Sequence, residues 1–168
     1  MTQKYRLVTR SDFDGLVCAA LFKELDLVDE IKFVHPKDMQ DGAVDISQRD
    51  ITANLPYVPG AHLVFDHHKS ESDRVKDGGS VHINDPEAPS AARVIFEHYG
   101  GRSKFSKISD DLMQAVDKAD SAQFTEKDIL SPEGWELLSF IMDSRTGLGR
   151  FREFRISNYE LMMALASH

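Results

Sequence analysis

The chain has 168 residues and an apolar fraction of 41%, enough for one domain with its own core and ordinary for a soluble globular protein. With 20 Lys plus Arg against 28 Asp plus Glu the net charge is −8, which argues against nonspecific binding to duplex nucleic acid or to an anionic membrane. Phosphate substrates stay open, because metal ions supply positive charge locally. Cys18 is the single cysteine, so no intrachain disulfide forms; MTQKYRLVTR lacks the apolar core of a signal peptide, and no run approaches a membrane span. A cytoplasmic protein with one domain over residues 1–168 is expected, with Cys18 a small buried hydrophobe in the apolar stretch Leu16 to Phe22.

Tyr5, Leu7 and Val8 predict a first strand. Arg10-Ser11-Asp12-Phe13-Asp14-Gly15 breaks the pattern before a helical run from Leu16 to Leu25, which makes strand, loop and helix, the opening of a βαβ unit. Two carboxylates spaced i, i+2 invite a cation, and Gly15 lets backbone or ligand approach closely. Helix capping is the simpler account of acidic residues there, but a cap needs only one of them. Ile31 to Val34 predicts a second strand, closed by His35-Pro36, and Pro36 to Gly42 a loop or a single turn. His35 is read as a hydrogen-bonded bystander. Val44 to Ile51 alternates weakly and predicts a third strand leading through Asp50, a ligand candidate by position alone.

Pro56, Pro59 and Gly60 turn the chain into Leu63-Val64-Phe65, a buried strand that delivers Asp66, His67 and His68 directly after it. In open α/β sheets the crevice beyond the strands' carboxyl ends is the usual ligand site, so a carboxylate and two imidazoles are well placed there. Lys69 to Gly79 is read as a loop in which Lys69 and Arg74 either meet a substrate phosphate or are solvated. Val81 and Ile83 predict a short strand. Ser90 starts a helix with Ala91, Val94, Ile95 and Tyr99 on its apolar face and Gly100-Gly101 as its stop.

A helix through Ile108, Leu112, Met113 and Val116 closes on Asp117 and Asp120, where acidic side chains oppose the dipole unless a cation offsets them. Ser131-Pro132-Glu133 is read as the start of the next helix, with Trp135 and the methionines in the core. Asp143 to Arg152, DSRTGLGRFR, is the most basic stretch and either binds an anion or makes a turn; Arg145 and Arg150 are its phosphate candidates. Ser157 and Glu160 form a capping box for a last helix. The fold class expected is α/β, with a mainly parallel sheet of about five strands flanked by helices, and a C-terminal helical portion after Ser106 that returns Asp120 to the site.

Asp12, Asp14, Asp50, Asp66, His67, His68 and Asp120 thus fall after strands or at helix ends. Oxygen ligands with one or two histidines suit Mn²⁺ or Mg²⁺ better than a cysteine-bound zinc. A pair of metals about 3.5 to 4 Å apart generates hydroxide near neutral pH and clamps a phosphoryl group for in-line attack.

The DFDG segment, the Asp66-His67-His68 triplet and Ala119-Asp120-Ser121-Ala122-Gln123-Phe124, in that order, resemble the motifs of DHH-family phosphoesterases. SDFDGLVCAALF, FVHPKDMQDG, DITANLPYVPG and DSRTGLGRFR look most like the exopolyphosphatase-related branch, so that the resemblance covers nearly the whole chain. It implies two Mn²⁺ ions, with Mg²⁺ or Co²⁺ as alternatives, and a substrate that is polyphosphate, a short single-stranded oligonucleotide or another small phosphorylated molecule. In that scheme Asp12 and Asp14 each hold one metal, Asp50 bridges them, and His67 and Asp120 complete the second site. Asp66 is then a ligand or a partner fixing the imidazoles, and His68 stabilises the phosphoryl transition state or positions substrate.

Two departures from the family pattern stand out. Arg10 occupies the position where the family usually has histidine; arginine cannot bind a cation, and it holds a phosphate instead or marks a degenerate site. The C-terminal substrate-binding domain of many relatives, called DHHA1, is expected to be absent. A non-catalytic module that binds a nucleotide or phosphate ligand is therefore the alternative to a metal-dependent hydrolase.

Overall fold

A computed structural model describes residues 3–75, 79–143 and 156–167. Its centre is a parallel five-stranded sheet in the order β2-β1-β3-β4-β5. The strands are β1 (Tyr5–Arg10), β2 (Val28–Val34), β3 (Asp50–Ala53), β4 (Leu63–Asp66) and β5 (His82–Asn84). Successive side chains of a strand point to opposite faces, and here both faces are covered: adjacent Leu7 and Val8 are each fully buried, as an all-parallel sheet requires. Leu7 joins the larger core with Phe22, Phe65, Ile95, Phe105 and Met113, whereas Val8 joins a smaller one with Val34, Met39 and Leu55.

The larger core lies under α1 (Phe13–Glu24), α4 (Ala91–His98), α5 (Asp110–Asp120), α7 (Gly134–Met142) and α8 (Asn158–Ser167). Helix α1 is buried on nearly every side, from Phe13 through Phe22, because other helices enclose it as well as the sheet. The expected α/β class, the parallel sheet and the later helical portion are all present. The smaller core lies under α2 (Pro36–Gln40), and Val44, Ile46 and Val58 pack against it from irregular chain.

Several local expectations are corrected. The third strand is Asp50–Ala53 rather than Val44 to Ile51, since Ser47 turns back to bind Asp50 through both its N–H, at 2.7 Å, and its hydroxyl, at 3.0 Å. Residues 69–74, expected as loop, form the short helix α3 (Lys69–Arg74). Its sequence has no apolar period, and tertiary contacts hold it: buried Glu71 accepts the Tyr57 N–H at 2.8 Å and pairs with Arg74 at 2.5 Å, and Arg74 donates to the Tyr57 carbonyl at 2.9 Å. Ser131 ends α6 (Glu126–Leu130) rather than starting α7, whose N-cap is Glu133. Trp135, expected in the core, is 37% exposed and stacks on Phe13. The Ser157–Glu160 capping box is formed, with Glu160 N–H on Ser157 Oγ at 3.1 Å and Ser157 N–H on Glu160 Oε2 at 2.8 Å.

Gly15 admits backbone rather than ligand. A Cβ there would stand 1.8 Å from the Arg10 carbonyl oxygen, so the first turn of α1 closes on the end of β1 only without a side chain. Gly15→Ala is therefore expected to destabilise the fold by about 3 kcal/mol or more, as overpacking against backbone does, measured by denaturant unfolding.

Asp50 stands at the amino edge of the sheet, opposite Arg6 in the register of β1 and β3. Arg6 Nε donates to its Oδ1 at 2.6 Å. Burial alone would raise the Asp50 pKa, but the Arg6 and Ser47 hydrogen bonds outweigh it and hold the carboxyl below its ordinary 3.8. A depressed pKa contributes stability that is present above the unfolded value and lost as pH falls through the folded one. Asp50→Ala, which removes the charged partner of Arg6 and leaves it the Asp45 carbonyl at 2.8 Å, is expected to cost about 3 kcal/mol, or roughly 6–12 °C in Tm. Thermal melts should show that gap in full at pH 7 and see it close below about pH 3.8.

Candidate metal and phosphate site

The strand order reverses direction at β1, whose neighbours are β2 on one side and β3 on the other. Such a switch point opens a crevice beyond the carboxyl ends of the two central strands. Here the chain leaves β1 through Arg10, Ser11 and Asp12, and leaves β3 at Asn54, whose Nδ2 donates to Asp12 Oδ1 at 3.2 Å across the crevice. Asn54 is 1% exposed and sits at φ 55°, a left-handed conformation that asparagine tolerates. A cleft of about 1050 Å³ opens from this point, lined by Arg10, Asp12, Asp14 and Asp120 and farther out by Phe124 and Phe140.

Helix α1 begins one residue after Asp12, so the two acidic residues of DFDG have separate tasks. Asp12 is the N-cap of α1 and accepts the Gly15 N–H at 2.9 Å. Asp14, inside the first turn and 3% exposed, reaches a different helix: its oxygens accept the Ala91 and Ala92 N–H groups at 2.9 Å each, at the N-terminus of α4. The Cys18 thiol, buried as expected, lies one turn on, 3.9 Å from Asp14 Oδ1. Both roles are capping roles, the simpler of the two accounts, yet they leave one buried carboxylate facing others.

Among the described residues, one ligand atom from each of Asp14, His67 and Asp120 comes within 4.8 Å of the others. His67 follows β4 directly, and Asp120 is the last residue of α5. His67 Nε2 lies 2.8 Å from Asp120 Oδ2, but this is a charge contact rather than an aligned hydrogen bond, and buried Nε2 has no properly directed partner. Its Nδ1 is 3.2 Å from the Ala88 carbonyl, which only an N–H can meet, so Nδ1 carries a proton and Nε2 is the nitrogen that faces the carboxylates. Burial raises the Asp14 pKa well above 3.8, and the charges of Asp120 and Asp12 push it further. Burial also raises that of Asp12, against Arg10. For His67 burial acts downward, yet its contact with Asp120 and the Asp14 charge carry it up to about 9. Burial is the largest cause for both aspartates, whereas the raised His67 value reports the negative charge gathered around its ring, which holds a proton on Nε2 at neutral pH that a bound cation would displace.

Carboxylates with an imidazole lone pair are a donor set for a hard or borderline divalent cation. Three converging donor atoms, with more carboxylate charge than one imidazole offsets, fit such an ion.

The remaining predicted site residues divide clearly. His68 lies beside His67, ring centroids 4.6 Å apart, and its Nδ1 meets Asp66 Oδ1 at 2.7 Å. Asp66 is fully buried and orients the His68 ring rather than joining the group of Asp14, His67 and Asp120. Asp117, the other acidic residue near the end of α5, is occupied by Arg93 at 2.5 Å and by the Ser90 hydroxyl at 2.7 Å. Asp50 does not join the site, because it opens β3 at the opposite edge of the sheet. Lys69 opens α3 with an exposed side chain, and His35 caps α2 through Nδ1. Arg145 and Arg150 lie outside the described residues. Sequence reasoning missed Asn54 and the α4 N-terminus; the strand end at Ala53 would have pointed to Asn54 had β3 been placed correctly.

No helix among the described residues is long and apolar enough to cross a membrane. No family model matches the chain, and no curated protein does either. A solved structure does: the pGpG-specific phosphodiesterase PggH from Vibrio cholerae, with 61% sequence identity and a TM-score of 0.87. The similarity covers 98% of this chain and 52% of that one, so the chain spans about half the length of the structure it matches.

Proposed function

We propose that this chain is a metal-dependent phosphodiesterase of the DHH-family type, acting on a short linear oligonucleotide such as the dinucleotide pGpG. The observation that carries the reading is the convergence of Asp14, His67 and Asp120 at the switch-point crevice, with His67 Nε2 2.8 Å from Asp120 Oδ2 and no aligned hydrogen bond between them. The named specificity of PggH supports a dinucleotide over the polyphosphate expected from the sequence resemblance.

Asp14, His67 and Asp120 are the ligands in this reading, and Mn²⁺ is the ion that their chemistry favours, with Mg²⁺ or Co²⁺ as alternatives. When bound, the metal supplies Lewis acidity that activates a water and offsets phosphoryl charge. The chain's own groups do the rest. Ala88 fixes the His67 tautomer, and the α4 N-terminus holds the Asp14 carboxylate in place. Asp66 fixes the ring plane of His68, which is 41% exposed and presents Nε2 to a phosphoryl oxygen as charge builds there. Water adds to phosphorus, the bond to the leaving ribose oxygen breaks, and that oxygen takes up a proton.

The test is Mn²⁺ titration by calorimetry alongside pGpG hydrolysis followed by chromatography. Asp14→Asn and His67→Ala are expected to lose ion binding and turnover together. His68→Ala should keep the ion and lose about 10²–10³-fold in kcat, the cost of removing one donor to a developing oxyanion. An ion-free wild-type chain that binds pGpG without cleaving it would replace this reading with the non-catalytic binding module.

A further inference from the structure

Asp12 and Asp14 look equivalent in the sequence, two carboxylates in one loop, and a two-ion centre would use both. The structure separates them. Asp12 Oδ1 accepts hydrogen bonds from Gly15 N, at 2.9 Å, and from Asn54 Nδ2, at 3.2 Å. Asp12 Oδ2 is ion-paired with Arg10 Nε at 2.8 Å and has Asn54 Nδ2 at 3.4 Å. Among the described residues the polar atoms nearest this carboxylate are nitrogens, although the charges of Asp120 and Asp143 also act on it; an oxygen shared with a metal ion faces the cation instead.

Asn54 reinforces the point. Its amide can turn either end to Asp12, and only the NH₂ end is attractive, which leaves buried Oδ1 without a partner. At the end of β3, beside Asp12, the chain supplies a neutral amide rather than a further carboxylate. The guanidinium of Arg10 stands 2.8 Å from Asp12 Oδ2, and its like charge opposes a dication at the same carboxylate.

We propose that the centre holds a single ion, on Asp14, His67 and Asp120, and that the Arg10 guanidinium, braced by Asp12 and Asn54, serves as the second positive charge. Arg10 lines the cleft and its side chain is 32% exposed. Nε is the nitrogen paired with Asp12 Oδ2, and among the described residues the terminal nitrogens donate no hydrogen bond. They form a planar fork that suits two oxygens of one phosphate. The ligand of this subsite is thus a nonbridging phosphate pair of the same dinucleotide, and Asp12 and Asn54 are positioning residues for it. The inference rests on the hydrolase reading above and adds to it the ion count and the phosphate anchor.

The test counts ions in the full chain, by Mn²⁺ calorimetry and by metal analysis after gel filtration, and separates KM from kcat for pGpG. Asn caps a helix as well as Asp, so Asp12→Asn keeps α1 while removing the charge. One ion per chain is expected in wild type, in Asp12→Asn and in Arg10→Lys, and none in Asp14→Asn. Arg10→Lys keeps the charge and loses the fork, so KM should rise about tenfold with kcat little changed. Two ions in wild type, or loss of the ion in Asp12→Asn, would overturn the single-ion centre and leave the hydrolase standing. An unmoved KM in Arg10→Lys would overturn the phosphate anchor. A wild-type chain with no ion and no turnover would remove the hydrolase reading, and this inference with it.

Discussion

Asp14 is a carboxylate taken almost fully out of water and held by two backbone N–H groups at the start of α4. Hydrogen bonds to a charged group contribute about 1.5–3 kcal/mol each, and the positive end of the helix dipole adds to them. This contact joins the first turn of α1 to the beginning of α4, two segments far apart in the chain. Ser90, the cap of α4, in turn donates to Asp117 of α5, and Arg93 pairs with the same carboxylate. One buried charge thereby sets the mutual positions of α1, α4 and α5, and so of Asp120 at the end of α5.

The same geometry leaves the site electrostatically unbalanced. Asp14 and Asp120 face a single imidazole, with Asp12 close by, and burial sharpens their repulsion because water no longer screens it. A folded chain keeps such an arrangement when another interaction offsets it. At Asp12 the protein provides the offset itself, through Arg10 and Asn54. At Asp14, among the described residues, His67 is the basic group that faces the carboxylate, and its charge offsets burial and the neighbouring carboxylates only in part.

How much of this was legible depended on whether a residue's role follows from its neighbours in the chain. Strand-ending polar residues such as Asp66, His67 and His68 were readable, since a short apolar run fixes where the strand stops. The capping serines at 90 and 157 were readable for the same local reason. Helix α3 was not, because Glu71 is held by Tyr57 from a separate loop. Asp50 was misread as a ligand because the start of β3 was placed too early. A shift of a few residues moves a side chain from one edge of the sheet to the other.

Composition, the apolar runs and the glycine and proline breaks determined by themselves that this is an α/β protein with a parallel sheet. They also determined that its chemistry-bearing residues gather after strands. Each of those facts is set by hydrophobic periodicity and local backbone preference, which act over a few residues. Tertiary structure alone decided which acidic residues share a site, that Asp12 faces arginine while Asp14 faces histidine, and that Asn54 closes the crevice between them. Those outcomes depend on strand order and register, and register depends on packing across the whole sheet rather than on any one stretch of chain.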